Sequence, residues 1–422
     1  MMDPIQELYN AQAYPAMSHP LADPSVSGVA AMFAGLRVRH PSGARILEIG
    51  CGSGHHLIPL AQRWPGSRLS GIDLAASAIR TARELAVAAG VENVEFQIAD
   101  LRDFADAGEP FDFIIAHGFF SWVPDEVKAA LFGFCRRNLA PEGMATISFN
   151  LESGWLPRFP VIAKTRAIQQ AGAVEVMAAL AILRTVTVSD SPEMAIIDDM
   201  LAKGPEILPF DDFAPVNDPW SLERFVGAAR AAGLRWLGES DPGMNEEGLQ
   251  TFRSAVLCRD DAPMEGWISW EVLERIFVRA GDFPGVPGSL WQTIAAAAPT
   301  CLAVAELSAL LPDMTRQDLG TQLLEGIRQG WFLPRMEAVK YDSIPPERPI
   351  LDRFRLDCAR RGLPLVDIWH RPCAFPARHY EVLARMDGTR DQASLKAFAK
   401  SHCPELDFNP WLRHLASRGL FS

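Results

Sequence analysis

The chain has 422 residues, of which 48% are hydrophobic and 22% are charged, and its formal net charge is −12. This length predicts two or three domains, and this composition is typical of a globular protein with a large core. The negative charge argues against binding along a phosphate backbone, so no nucleic-acid partner is expected.

No apolar run reaches the ~18 residues that span a bilayer, and the first residues lack the basic start and apolar core of a signal peptide. The seven cysteines are scattered without a C-x-x-C pair. This usage indicates reduced thiols. We therefore expect a cytoplasmic protein without a membrane partner.

The strongest local signal is a glycine-rich turn that follows a short apolar run. Residues 45–49 are typical of a strand, and Gly50, Gly52 and Gly54 follow it at alternate positions. Since glycine has no Cβ, the backbone can approach a ligand very closely here. Asp73 ends a second apolar strand, where its carboxylate can bind the two hydroxyls of a ribose. This pattern predicts a site for a nucleoside-type cofactor.

The spacing of the glycines selects among such cofactors. A dinucleotide-binding loop has the pattern G-x-G-x-x-G, whereas here the glycines alternate, Glu48 precedes them inside the strand and His55 follows them. This E-x-G-x-G-x-G pattern resembles motif I of the class I S-adenosylmethionine (SAM) methyltransferases. Cys51, inside the loop, is expected to be a small packing residue rather than a nucleophile. A Rossmann domain that binds NAD, or no ligand, is the alternative.

Three later segments agree with this resemblance. Residues 94–101 look like the third strand of that family, and they end in Asp100, the acidic residue that contacts adenine, and Leu101. Residues 111–117 look like the fourth strand and end at His117, while residues 138–143 look like the turn before the fifth. Strand candidates near 45–50, 68–73, 94–99, 111–116 and 143–149 alternate with helical patterns, which implies a parallel sheet covered on both faces.

The sheet domain is predicted to close near residue 260. Ser221 is a plausible N-cap for a helix that ends before Gly233, and two further strands at 234–237 and 251–258 form the final hairpin. Residues 41–260 then form the domain, with a helical insertion at 156–215. Its predicted helices are 162–183 and 191–201, the second with proline at its first position. The insertion is either a substrate lid or an interface in a homodimer.

A second region is predicted at 267–422. Residues 323–332 and 411–421 are both typical of a helix that ends in glycine and is followed by a strand, and each follows another helical segment, at 304–311 and 394–400. That order is typical of winged-helix modules, and the Pro- and Arg-rich stretch 344–378 would join the two. No basic recognition helix is visible, so substrate docking or self-association is favoured over DNA binding.

Motifs along nearly the whole chain resemble one family. They lie at 13–20, 115–124, 148–155, 216–219, 252–258 and 386–391. They are similar to those of methyltransferases that carry a methyltransferase regulatory domain, among them the rickettsial protein-lysine methyltransferases. The resemblance implies an α/β fold: a class I methyltransferase Rossmann-like seven-stranded sheet with a helical insertion, plus a mostly α, winged-helix-like C-terminal domain. One departure is Leu151-Glu-Ser-Gly-Trp155, where better-known members have Thr-Tyr-Pro-Gly-Trp.

The resemblance also implies roles for individual residues, with SAM as the cofactor. Those expected to bind it are Glu48, Gly50, Cys51, Gly52, Gly54, Asp73, Leu74, Asp100, Leu101 and His117. Those expected beside the acceptor are Phe119, Ser121, Trp122, Asn150 and Trp155. His117, Tyr14 and His19 are the candidate catalytic residues, and residues 1–40 are expected to fold over the cofactor as a lid.

Three functions remain open at this point. The first is methyl transfer to a protein lysine amine, the second is O- or N-methylation of a small molecule or glycan, and the third is a SAM-binding regulator without turnover. The adjacent His55 and His56 suggest a metal, but neighbouring histidines do not usually face one ion, so no metal site is expected.

Overall fold

The computed structural model describes residues 14–104, 108–241, 251–266, 268–281 and 288–422. A seven-stranded sheet lies at its centre, built from β1 Arg45–Ile49, β2 Arg68–Asp73, β3 Val94–Ile98, β4 Phe111–Ala116, β5 Leu139–Asn150, β6 Leu234–Glu239 and β7 Phe252–Arg259. The strand order is β3-β2-β1-β4-β5-β7-β6, and only β7 runs antiparallel to its neighbours. This confirms the predicted α/β class and its sheet.

Nine helices and three short 3-10 turns accompany this sheet among the described residues up to 241. The helices are α1 Pro24–Phe33, α2 Leu57–Arg63, α3 Ala76–Ala89, α4 Asp125–Asn138, α5 Glu152–Trp155, α6 Arg158–Gly172, α7 Val176–Val186, α8 Pro192–Lys203 and α9 Leu222–Ala231. Ser221 caps α9 by accepting a hydrogen bond from the Arg224 amide, as predicted. Gly233 has a φ of 79°, which suits the end of that helix.

The turn predicted at 138–143 lies inside the fifth strand rather than before it. Helix α4 runs to Asn138 and β5 begins at Leu139, and Leu139 pairs with Phe111 while Met144 pairs with Phe113. The pairing of β5 with β4 shifts register between Phe111 and Phe113. A Cβ on Gly143 would lie 2.6 Å from the Phe111 carbonyl oxygen. The same Cβ would lie 2.9 Å from the Ala140 amide nitrogen, so the chain folds back at 140–143 while it lies close to β4, and glycine permits both approaches.

The insertion contains three longer helices with a hydrophobic cluster of their own. The predicted helix 162–183 is broken between α6 and α7, where Ala173 has a φ of 47°. Helix α8 begins as predicted, with Ser191 as cap and Pro192 at the first position. The cluster consists of Val161, Ile162, Leu180, Leu183, Ile197, Met200 and Leu208. Among the described residues no single helix is long and apolar enough to cross a membrane, although the bent pair Glu152–Gly172 and Val176–Val186 passes by length and composition.

The C-terminal region is mostly helical. Its helices are α10 Trp270–Leu273, α11 Ser289–Ala296, α12 Val304–Leu310, α13 Arg316–Arg328, α14 Arg353–Arg361, α15 Ala377–Leu383, α16 Gln392–His402 and α17 Phe408–Ser417. Its strands are β8 Phe277–Ala280, β9 Leu302–Ala303, β10 Phe332–Arg335, β11 Leu365–Val366 and β12 Pro372–Cys373. The strands form a three-stranded sheet, β10-β8-β9, and the pair β11-β12.

The two predicted helix–glycine–strand units are built differently. After α13, Gly330 has a φ of 70° and β10 follows. After α17, Gly419 has a φ of 61°, but Phe421 makes only an isolated bridge to Leu351. The winged-helix assignment stays a prediction. The stretch 344–378 contains α14, β11 and β12, and is therefore more than a connection.

The sheet domain and the C-terminal region share one hydrophobic core. A single cluster of buried side chains includes Ile46 of β1, Leu60 of α2, Leu85 of α3, Phe354 of α14 and Leu415 of α17. A second cluster covers the opposite face of the sheet. Because burial of apolar surface is the main stabilising term in folding, the two regions stabilise each other.

Candidate cofactor and acceptor site

A cavity of about 780 Å³ opens where the parallel strands end. Its wall includes Glu48 and Ile49 of β1, Asp73 of β2, Asp100 just beyond β3 and His117 just beyond β4. The carboxyl edge of an open parallel sheet is where such folds bind ligands. The volume is within the range of small-molecule sites.

The glycine loop is shaped by close contacts as well as by the cavity. Gly50, Gly52 and Gly54 all have positive φ, of 76°, 52° and 76°. A Cβ on Gly50 would lie 2.9 Å from the Phe119 ring, and one on Gly54 would lie 2.8 Å from Phe96. A Cβ on Gly52 would meet nothing within 4 Å. Gly50 and Gly52 line the cavity, whereas Gly54 serves the packing of the loop on β3.

Asp73 braces the glycine loop. Its Oδ2 accepts a hydrogen bond from the Gly52 amide at 2.9 Å, and its Oδ1 accepts one from the Ala75 amide at 2.8 Å. Burial raises the pKa of its carboxyl. Each carboxylate oxygen keeps a further lone pair, so the predicted bond to ribose hydroxyls is compatible with this role. Leu74, beside it, also lines the cavity.

The acidic residue after β3 is held by its neighbour. Asp100 forms an ion pair with Arg102 at 2.6 Å, and the hydrogen bonds from Arg102 lower the pKa of its carboxyl. Asp100 and Leu101 both line the cavity. The pair places a charged rim next to an apolar side chain, which is the kind of surface that an adenine ring with its amino group can contact.

Glu48 places an unpaired oxygen in the wall. The residue is 3% exposed, and its Oε2 has no hydrogen-bond partner among the described residues. Burial, assisted by the charge of Asp73, raises the pKa of Glu48 well above its usual value. A buried polar atom without a partner is costly. It is therefore available to a ligand that donates a hydrogen bond, such as the amino group of a bound amino acid.

Cys51 packs where another glycine leaves room. A Cβ on Gly71 of β2 would lie 2.8 Å from the Cys51 sulfur. Burial raises the pKa of the Cys51 thiol well above its usual value, so the group stays protonated. Cys51 is the small packing residue that was expected in the loop, and it also lines the cavity. The requirement for Gly71 was not recognised in the sequence, because a lone glycine in a strand has several explanations.

Two histidines stack inside the cavity. The rings of His19 and His117 have centroids 3.8 Å apart and are inclined by 27°. Burial lowers the pKa of His19 to about 4, and burial and the nearby His19 and His56 lower the pKa of His117 well below its usual value. Both rings are therefore neutral at pH 7 and are weak bases.

The N-terminal segment contributes one more side chain to this part of the cavity. The Tyr14 ring lies edge-on to Phe210 of the insertion, with centroids 5.4 Å apart. Burial, with Asp211 nearby, raises the pKa of the Tyr14 phenol to about 12. The phenol is therefore a hydrogen-bond donor at neutral pH rather than a base. Within the predicted lid, Tyr14 and His19 reach the cavity, residues 1–13 lie outside the described part of the chain, and α1 is almost entirely buried.

The residues expected beside the acceptor are divided between two layers. Phe119 and Trp122 line the cavity. Ser121, Asn150 and Trp155 lie behind them: the Ser121 hydroxyl accepts from the Asn150 amide at 2.8 Å, and the Trp155 indole donates to the Thr251 carbonyl at 2.9 Å. Trp155 also lies edge-on to Trp122, with centroids 5.9 Å apart. These three residues support the wall from behind.

Several lining residues carried no signal in the sequence. They are Glu206 of the insertion and, from the C-terminal region, Gly362, Leu363, Pro364, Ala374, Phe375 and Tyr380. The C-terminal residues lie in or next to the stretch predicted as a connection, and only tertiary packing brings them to the glycine loop. Within the described ranges, no group of three or more His, Cys, Asp and Glu side chains is arranged to hold a metal ion.

A comparison with protein families identifies the core of the chain. The family model for a methyltransferase domain matches residues 46–143. These residues form a class I SAM-dependent methyltransferase domain. The glycine loop, Asp73, Asp100 and His117 all lie inside the match. The unpaired Glu48 oxygen, the open space over Gly52 and the remaining lone pairs of Asp73 fit SAM, whose amino acid and ribose groups need such partners.

The curated relatives match this part of the chain. An uncharacterized protein of Rickettsia prowazekii is 35% identical over 147 residues, which are 35% of this chain and 27% of that protein. A trans-aconitate 2-methyltransferase of Azoarcus sp. is 36% identical over 111 residues, which are 26% of this chain and 41% of that protein. The chain therefore spans less than half the length of either relative.

One solved structure is similar along the whole chain. PKMT2 from Rickettsia typhi in complex with AdoHcy superposes with a TM-score of 0.79 at 16% identity, covering 97% of this chain and 99% of that one. A second structure of PKMT2 from Rickettsia typhi gives a TM-score of 0.76 at 17% identity and covers 96% of both chains. The insertion and the C-terminal region therefore belong to a shared fold.

Proposed function

We propose that this chain transfers a methyl group from SAM to the side-chain amine of a protein lysine. The observation that carries this proposal is the charge of the cavity. Among the described lining residues Arg102 is the only Lys or Arg, and it is paired with Asp100. Asp73 and Glu206 add further acids to the wall. Such a site attracts a basic acceptor and repels an anionic one.

The extent of the structural similarity supports the same acceptor class. PKMT2 from Rickettsia typhi is matched along its whole length, including the parts that surround the acceptor side. The motifs along the chain also resemble the rickettsial protein-lysine methyltransferases. Trans-aconitate 2-methyltransferase, by contrast, is matched over only 26% of this chain. That match favours a small carboxylate as the second candidate acceptor, but a polycarboxylate is a poor electrostatic partner for this cavity.

The protein's part in the reaction is alignment and exclusion of water. SAM supplies the activated methyl group and its leaving group. Gly50, Gly52 and Asp73 hold the cofactor side, while Phe119 and Trp122 form apolar walls on the acceptor side. Aligning two reactants in a site without bulk water removes much of the entropic barrier to an in-line displacement.

The acceptor amine has to lose a proton before it can attack. From a pKa of ~10.4, deprotonation at pH 7 costs roughly 4–5 kcal/mol. His19 and His117 are too weakly basic to keep that proton, because burial lowers the pKa of both. We propose that the amine gives its proton to solvent as it enters the cavity, that the apolar walls favour the neutral amine, and that the stacked imidazoles accept a hydrogen bond from it.

Methyl transfer into fractionated extract tests the acceptor class. Purified protein is incubated with methyl-labelled SAM and an extract of the source organism, and macromolecules are separated from small molecules. Base-stable label in protein, recovered as methyl-lysine after acid hydrolysis, is the expected result. Label confined to small molecules, and released as volatile methanol by base, would instead indicate a carboxylate acceptor and contradict the lysine proposal.

A further inference from the structure

Two adjacent histidines end the glycine loop, and each is held by a residue of the C-terminal region. His55 and His56 follow Gly54 directly, and both are only 2% exposed. No metal site was expected at this pair from the sequence. In the structure His56 contacts His370, and His55 contacts Cys358, more than 300 positions along the chain.

The hydrogen bonds around His56 define its tautomer. Its Nδ1 accepts from the backbone amide of His19 at 3.3 Å, so this nitrogen carries a lone pair. His370 Nε2 lies 2.8 Å from the same Nδ1 and therefore donates to it. His370 is fully buried and has a φ of 64°. A non-glycine residue in that conformation is held there by its surroundings, so the C-terminal region presents this donor in a fixed position.

The contacts of His55 come from both sides. Its Nδ1 is 3.0 Å from the hydroxyl of Ser53, inside the glycine loop. Its Nε2 is 3.6 Å from the Cys358 sulfur, and the Phe354 ring lies edge-on at 5.5 Å. Both Cys358 and Phe354 belong to α14. Burial raises the pKa of the Cys358 thiol, so the contact is structural rather than nucleophilic.

The far end of α2, the helix after the loop, is held in the same way. Arg63 contacts Glu337 at 3.3 Å, and the Trp64 indole donates to the other oxygen of Glu337 at 2.6 Å. Arg63 also forms an ion pair at 2.7 Å with Asp23, whose side chain is fully buried. Helix α2 is therefore attached to the C-terminal region at both ends. A movement of the C-terminal region would therefore displace α2, and with it the glycine loop that precedes α2.

We propose that the C-terminal region is a built-in part of the cofactor site, in which His370 and Cys358 position the glycine loop for SAM. The segment between these two residues also supplies cavity wall, at Gly362, Leu363 and Pro364. A partner that displaces this segment would lower the affinity for the cofactor, and bound cofactor would in turn hold the segment in place. The proposal rests on the SAM-binding part of the proposed function and does not depend on the acceptor.

Calorimetric titration with S-adenosylhomocysteine (AdoHcy) tests the positioning role without turnover. We expect His370→Ala to weaken AdoHcy binding roughly tenfold, within the range of coupling through a supporting residue. His370→Gln keeps an Nε2 donor and is expected to bind within about threefold of wild type. Cys358→Ala is expected to weaken binding by a few-fold. Cys403→Ala is the matched control, since Cys403 is equally buried in the same region but pairs with Glu405.

Hydrogen exchange of the apo proteins provides a second measurement that a general loss of stability would not reproduce. In His370→Ala, amides of residues 50–57 should exchange faster while those of β4 and β5 stay protected. Wild-type AdoHcy affinity in His370→Ala, with unchanged exchange at the loop, would overturn the proposal. If wild-type protein itself failed to bind AdoHcy, the proposed function would be at fault instead.

Discussion

His370 and His56 are 314 positions apart in the chain and share a buried hydrogen bond of 2.8 Å. This contact joins the last third of the molecule to the end of the glycine loop. The cofactor site is therefore built from both regions of the chain, and not from the sheet domain alone.

Lys128 and Asp218 form an ion pair next to Phe120 of the hydrophobic core, whose ring centroid lies 5.7 Å from Lys128 Nζ. The Lys128 side chain is 2% exposed and Asp218 is 39% exposed. We expect Asp218→Asn to destabilise the protein by about 2 kcal/mol, since it leaves the buried ammonium with Asp125 as its one carboxylate partner among the described residues. Chemical denaturation measures the loss. The double variant Lys128→Met with Asp218→Asn should recover most of it, and an additive loss would contradict this explanation.

Gly71 is required by its neighbours and not by its own backbone. A Cβ there would lie 2.8 Å from both the Cys51 sulfur and the Phe96 ring. We expect Gly71→Ala to cost about 1–3 kcal/mol in stability and to weaken AdoHcy binding. Adding Cys51→Ala should restore part of both. Gly66→Ala is the control, because its nearest neighbour is 4.0 Å away, and an equal loss there would refute the packing argument.

Buried neutral histidines make the protein sensitive to acid. Burial lowers the pKa of His55 to about 4, and burial with nearby positive charge lowers the pKa of His370 well below 6.5. Below pH 6.5 the unfolded chain therefore binds more protons than the folded protein. As a result, the free energy of unfolding decreases as the pH is lowered from 6.5 to about 4. Each histidine contributes up to about 1.4 kcal/mol per pH unit. Glu48 has the opposite effect on the free energy of unfolding. Burial raises its pKa, so the folded protein binds this proton more tightly than the unfolded chain does.

Denaturation midpoints measured between pH 7.5 and 4.5 check this dependence. The wild-type slope should be steep below pH 6.5, and His55→Gln should reduce it, since glutamine does not titrate. An identical slope in this variant would show that other groups cause the acid sensitivity.

Glu206 is expected to attract a basic acceptor. It is exposed in the wall that the insertion contributes to the cavity. Glu206→Lys should raise KM for a lysine-containing acceptor several-fold with little change in kcat, and added salt should reduce the difference. Glu223→Lys is a matched control, because it makes the same charge change at an exposed position of α9 that does not line the cavity. If both variants raise KM equally, net charge rather than the cavity is responsible.

Several parts of the fold could be predicted because they depend on local rules. The alternating glycines, the strand that precedes them and Asp73 at the end of the next strand place a ligand loop at the edge of a parallel sheet. The Ser191 and Ser221 caps are equally local, since each hydroxyl accepts from an amide three residues later. The chain also folds back at 140–143, where a Cβ on Gly143 would lie 2.9 Å from the Ala140 amide nitrogen, but the place of this irregularity inside β5 depends on the pairing with β4.

The site itself was predicted only in part. Phe119 and Trp122 line the cavity as expected, whereas Ser121, Asn150 and Trp155 support it from behind. The direction of a side chain at the end of a strand depends on packing. A motif can therefore locate the cavity wall, but it cannot distinguish the residues that line the cavity from those that lie behind them. The stacking of His19 on His117 likewise requires the N-terminal segment to cross the sheet edge.

The sequence by itself determined the class of cofactor and the central sheet, because glycine geometry and strand periodicity act over a few residues. Tertiary structure alone decided the rest of the cavity: the pairing of His56 with His370, the contact of His55 with Cys358 and the wall at residues 362–364. These contacts are set by one hydrophobic core that spans both regions. No local pattern carries that information, since the free energy that brings such distant segments together is the burial of the whole core.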